Sequence, residues 1–108
     1  MTFSATLVQS EAARAFAARL PLTLRMSELN GNEKYIYMDE ALPAAAQRVG
    51  SIAAGDLMLY GSNCIVLFYE SFATSYSYTP LGRLDDASGI VQAVGSGSVT
   101  VTFSIMEE

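Results

Sequence analysis

Apolar and polar residues alternate or recur with a helical period along most of the chain. Phe3, Ala5 and Leu7 alternate with Ser4 and Thr6, the pattern of a half-buried strand. Helical spacing takes over at Ala13, Phe16, Ala17 and Leu20, which make one apolar stripe. Ser10 is placed to cap that helix, Glu11 puts negative charge in its first turn, and Pro21 ends it at Leu20. Leu22, Leu24 and Met26 line one face of a second strand, with Thr23 and Arg25 on the other. Asn30-Gly31-Asn32 is turn chemistry, because Gly and Asn tolerate positive φ. Strand character resumes over 33–38, with Tyr35 and Tyr37 on one face and Ile36 and Met38 on the other.

Residues 39–55 carry no clear period, and Leu42-Pro43 with the Ala and Gly content predicts a long irregular connection. Asp56–Tyr60 and Cys64–Tyr69 read as two strands joined by Gly61-Ser62-Asn63. The second is apolar on both faces, so it is expected centrally in a sheet covered on both sides. A polar aromatic run, Ser75 to Thr79, leads into Pro80-Leu81-Gly82-Arg83-Leu84. Asp85 or Asp86 is expected to cap a short helix carrying Ile90, Ala93 and Val94, closed by Gly95. Val99, Val101, Phe103 and Ile105 then predict the inner face of a last strand. About seven strands and two helices, without a repeat or linker, predict one mostly-β domain over residues 1–108. The expected form is a closed or nearly closed barrel with helices over its open ends.

Composition narrows the function classes. The chain has 108 residues, 51% of them hydrophobic, which is enough for one packed core. Its net charge is −5 and its few Lys and Arg form no stripe, so a nucleic-acid partner is not expected. No apolar run reaches the roughly 20 residues of a spanning helix, so no membrane partner is expected either. Met1–Val8 lacks the basic leader of a signal peptide, and the lone Cys64 fits a reducing compartment; the expected location is cytoplasmic. With no histidine and one cysteine, neither a zinc site nor a Ser–His or Cys–His pair is expected. No glycine spacing suits a phosphate loop, and no cofactor is expected.

The residues that invite a binding reading are aromatic and cationic. Arg83 lies on a strand between leucines, so it points away from the core, and its guanidinium fork suits a carboxylate or phosphate. A solvated or salt-bridged barrel arginine would look the same in sequence. Tyr76 and Tyr78 alternate on one strand face, and Tyr35 and Tyr37 do the same on another. Such pairs make ligand platforms or plain sheet-surface packing. The expected site is a groove containing Arg83, Tyr76, Tyr78, Tyr35 and Tyr37. Glu33, Asp39 and Glu40 read as solvated charges, and Cys64 as a small buried apolar residue.

Several strings carry a family resemblance across nearly the whole chain. Ser10–Pro21 (SEAARAFAARLP), Asn30–Tyr37 (NGNEKYIY), Gly55–Tyr60 (GDLMLY) and Tyr78–Leu84 (YTPLGRL) resemble small bacterial and archaeal cyclophilin-like proteins. The resemblance implies an eight-stranded barrel with a helix at each end and brings no established activity. Residues 55–106 also resemble the second half of true cyclophilins, which catalyse prolyl isomerisation. Against that pattern the chain departs sharply. Tyr78 stands where the isomerase has its histidine, tryptophan is absent, and Thr23-Leu24-Arg25 only faintly matches the Phe-His-Arg string. The expectation is therefore a non-catalytic binding domain for a peptide or a small anion. An isomerase or other enzyme, and an oligomeric assembly protein, are the alternatives. The resemblance also implies a strand ahead of Thr2–Val8 that this chain does not carry. A homodimer is expected to cover the edge so exposed, with a loop such as 39–54 as the alternative cover.

Overall fold

The computed structural model describes residues 1–106. In chain order the elements are β1 (Ala5–Leu7), α1 (Glu11–Ala17), β2 (Leu22–Leu29), β3 (Glu33–Tyr37), β4 (Gln47–Arg48) and β5 (Ser51–Ile52). They continue with β6 (Asp56–Tyr60), β7 (Cys64–Phe68), β8 (Phe72–Ala73), β9 (Ser77–Leu84), α2 (Ile90–Val94) and β10 (Val99–Phe103). Hydrogen-bonded neighbours run β1-β9-β6-β7-β3-β2-β10, and every pairing is antiparallel. Short β4 joins β9 at Tyr78 and Ser77, while β5 and β8 pair separately.

The sheet curls into a half-barrel, which corrects the expectation of a closed or nearly closed one. Among the described residues, β1 bonds only to β9 and β10 only to β2, so the two ends of the sheet never meet. Its concave face holds the main core, with Met26, Leu59, Ile65 and Leu81 fully buried. Helix α1 plugs one end: Phe16 meets the Phe103 ring edge-on at 5.5 Å between centroids. Helix α2 adds Ile90 and Val94 to the same core. The convex face is covered in part by a second cluster of Ile52, Met58, Cys64, Val66, Phe68 and Tyr78. Strand β7 is buried at every position between β3 and β6, as its two-faced apolarity predicts.

Several boundaries differ from the sequence reading for identifiable reasons. Ser10 does cap α1, accepting from the Ala13 N–H at 3.1 Å. The helix nevertheless stops at Ala17, and the Arg19 and Leu20 N–H groups turn back to the Phe16 and Ala17 carbonyls. A residue before proline avoids the α region, so the last turn tightens before Pro21. Neither Asp85 nor Asp86 caps α2. Asp85 accepts from Thr6 Oγ1 at 2.6 Å and Asp86 from the Ser88 N–H at 2.9 Å, leaving Gly89 at the helix start. Ile105 lies beyond β10 and is exposed, not inward. The stretch 39–55 is irregular apart from β4 and β5.

One charge is buried inside the half-barrel. Lys34 is fully buried, and its ammonium donates to Glu28 Oε1 at 2.9 Å, Gly95 O at 2.9 Å and Gly97 O at 2.6 Å. Three donors thus meet three acceptors, and the turn before β10 is tied to β3. Glu28 also accepts from the Tyr69 hydroxyl at 2.7 Å and the Gly31 N–H at 2.7 Å. Burial alone would raise the Glu28 carboxyl, but these bonds and the Lys34 charge hold it below its usual 4.5. Burial and the bond to Glu28 push the Tyr69 phenol up to about 12.

Candidate functional site

Alternation sends Tyr35 and Tyr37 of β3, Cys64 and Val66 of β7, and Met58 and Tyr60 of β6 to the convex face. Register then sets a row across the sheet. Tyr37 lies opposite Cys64, and Cys64 lies opposite Tyr60. The Tyr60 ring meets Tyr78 at 5.6 Å and Tyr76 at 6.4 Å. Tyr35 meets Tyr37 edge-on at 6.0 Å. Five of the six tyrosines therefore occupy one face. Two strand spacings separate Tyr37 from Tyr60, about 10 Å, with a small thiol between them. The result is a row of aromatic side chains across the convex face, with the buried Cys64 between Tyr37 and Tyr60.

The row is exposed in part. Tyr37, Tyr60 and Tyr76 are 62%, 44% and 63% exposed, whereas Tyr78 is 4% exposed. Tyr78 is wedged against Phe68, edge-on at 5.5 Å, and Phe68 stacks in turn near Phe72. Burial, then nearby Glu33, raises the Tyr78 phenol to about 12. The same two causes raise the Cys64 thiol to about 11, against a hydrogen bond with Tyr37. Glu33 itself is nearly buried, and desolvation followed by the Glu28 charge raises its carboxyl. These shifts share one cause, burial among apolar side chains, reinforced by a neighbouring carboxylate.

Arg83 is not brought to this row. It lies five residues from Tyr78 along β9, about 15 Å of strand, at the end where β9 meets β1 and β6. Its Nε donates to Asp56 Oδ1 at 2.7 Å, and the other Asp56 oxygen accepts from the Ala53 N–H at 2.9 Å. Asp56 is 2% exposed while the Arg83 side chain is 67% exposed, so the arginine neutralises a buried carboxylate from above. Arg25 stays out as well: the β2–β3 ladder ends at Ser27 and Tyr35, and Arg25 donates to Thr100 Oγ1 at 3.2 Å.

Sequence reasoning missed Tyr60 and Asp56. The signal was present, since alternation in Asp56–Tyr60 puts Asp56, Met58 and Tyr60 opposite the leucines. A separate hollow lies in the mouth of the half-barrel between β1 and β10. It measures about 710 Å³, and none of its lining side chains is charged. No group of three or more His, Cys, Asp or Glu side chains among the described residues could hold a metal ion.

A curled antiparallel sheet with a helix at its end and an aromatic convex face defines a small barrel-type β domain. The chain belongs to the cyclophilin-like family, whose sequence profile matches residues 1–104. No curated protein and no solved structure matches it.

Proposed function

We propose that this protein is a non-catalytic peptide-binding domain, and that the tyrosine row on its convex face is the site. The observation that carries this reading is the row of Tyr37, Tyr60, Tyr78 and Tyr76 across one sheet face, three of them exposed. Aromatic rows of this kind suit extended, proline-containing segments, which bring flat apolar rings at little entropic cost. Exposed phenol tips can bond the peptide's carbonyls. An anionic ligand fits less well, because Arg83 is engaged by Asp56 and Glu33 lies close by.

The chain contains no tryptophan, so the tyrosines supply its fluorescence, and five of six belong to the site. Titration with proline-rich peptides is expected to change that emission saturably. Tyr60→Ala is expected to weaken binding about tenfold, as loss of an aromatic anchor typically does. Arg83→Ala should bind as tightly as the parent. Equal affinity in the parent and in Tyr60→Ala, or loss of binding in Arg83→Ala, would return the ligand to the anion class.

The non-catalytic reading rests on the family resemblance, which puts Tyr78 where the isomerase has its histidine; a phenol raised to about 12 stays neutral and protonated. Isomerisation of a proline peptide is expected at the uncatalysed rate. A rate comparable with a true cyclophilin and abolished by Arg25→Ala would overturn this.

A further inference from the structure

We propose that the tyrosine face selects a lysine side chain in its peptide, with Glu33 as the carboxylate that receives the ammonium. The preference rests on the tyrosine row being the peptide site. Alternation along β3 sends Glu33 to the same convex face as Tyr35 and Tyr37. Glu33 lies opposite Phe68 of β7, and Tyr35 lies opposite Val66, about 7 Å further along the strand. The Tyr78 ring stands edge-on to Phe68 at 5.5 Å. Aromatic rings therefore border Glu33 along its own strand and across the sheet.

Glu33 is 9% exposed, yet no ion pair or side-chain hydrogen bond among the described residues reaches its carboxyl. The basic groups of the fold are committed elsewhere. Lys34, the next residue, points to the opposite face and donates to Glu28, Gly95 and Gly97. Arg83 is held by Asp56, and Arg19 by Glu40. Burial and the Glu28 charge both raise the Glu33 carboxyl, so its ionised form has a cost and no counterion. The preceding residue, Asn32, carries a buried Oδ1 that also lacks a partner. Both unmet groups at this end of β3 are acceptors, and what they lack is a donor.

A nearly buried, unpaired carboxylate bordered by aromatic rings matches the chemistry of an alkylammonium. Ring faces attract the cation, the carboxylate accepts a charge-assisted hydrogen bond, and the stem packs on apolar side chains. Tyr35 and Phe72, which are partly buried on this cluster, are placed to take the stem. The slight exposure of Glu33 favours lysine, a compact charge on a slim stem, over the planar fork of arginine. Glu33 already acts across the row, since its charge raises both the Cys64 thiol and the Tyr78 phenol. A cation seated on the row lies within that field. The net charge of −5 attracts any cationic peptide at long range, whereas a contact at Glu33 depends on one side chain.

The probe is acetylated and amidated Pro-Pro-Lys-Pro-Pro, titrated against the full chain by tyrosine fluorescence. The same peptide with norleucine or glutamate in place of lysine is titrated beside it. The lysine peptide is expected to bind about tenfold more tightly than the norleucine peptide, the worth of one hydrogen bond to a charged group. The glutamate peptide should bind most weakly. In Glu33→Gln the lysine and norleucine peptides should bind alike. That variant should be at least as stable to urea as the parent, because an unpaired carboxylate has been removed. Equal binding of the lysine and norleucine peptides by the parent would overturn the proposal and leave the tyrosine reading standing, whereas no binding of any peptide would end both. A lysine preference that survives in Glu33→Gln would belong to the net charge and would also overturn it. So would a loss of stability in that variant, which would reveal a partner for Glu33 within the fold.

Discussion

Lys34→Ala is expected to destabilise the fold by about 3–5 kcal/mol, the usual cost of removing one partner from a buried, hydrogen-bonded ion pair. The variant strips a donor from Glu28 and from the Gly95 and Gly97 carbonyls at once. The turn that positions β10 then loses its tie to β3. Urea denaturation gives the number, and a loss below about 1 kcal/mol would mean the ammonium is not desolvated. Acid dependence supplies a second reading. Because the folded Glu28 carboxyl is held below 4.5, its contribution is present above that value and is lost as pH falls through the folded one. In Lys34→Ala the hydrogen bond and charge from Lys34 are gone, so this acid-side loss should shrink. Adding Glu28→Gln to the variant should recover part of the stability, since the carboxylate left without its ammonium is then removed.

Gly82→Ala is expected to cost about 2–3 kcal/mol and to loosen β1 selectively. A methyl group on Gly82 would stand 2.7 Å from the Thr6 carbonyl oxygen and 3.0 Å from Leu7 Cδ2. The first neighbour is backbone and cannot rotate away, so β1 must move off β9. Crowding of this kind in a packed site falls at the upper end of overpacking costs. Hydrogen exchange should show Thr6 and Leu7 opening while β6 and β7 stay protected. Uniform loss of protection, or none, would show that β1 is not the element Gly82 accommodates. This glycine belongs to the Tyr-Thr-Pro-Leu-Gly-Arg-Leu string that carried the family resemblance. Its physical role is the close approach of two strands, not a ligand.

The two expectations for the ligand site fared differently because they rest on different kinds of signal. Alternation put Tyr35 and Tyr37 on a shared strand face, since strand period reports which face a side chain takes, but it did not tell exposed Tyr76 from buried Tyr78. It says nothing about which strand comes next, so the Tyr37–Cys64–Tyr60 row required the actual register of β3 and β6 on β7. Arg83 had an outward face too, but its partner is Asp56, supplied by a strand 27 residues earlier. An arginine read one residue at a time looks equally free whether it faces a ligand or a buried carboxylate.

What the sequence determined by itself is local. Most period-two runs, the Ser10 cap, the Asn30-Gly31 turn and the fully apolar β7 follow from short-range sterics and hydrogen bonding, and are found where the residues put them; the last run stops short of Ile105. Lys34 shows the limit: its neighbours Glu33, Tyr35 and Tyr37 suggest an ordinary solvated strand charge. Only tertiary packing brings Glu28 and the 95–97 turn around its ammonium, which makes burial affordable. The open edge was likewise decided at that level. Closing a ring depends on the number and direction of the strands together, and no single segment of the chain encodes either.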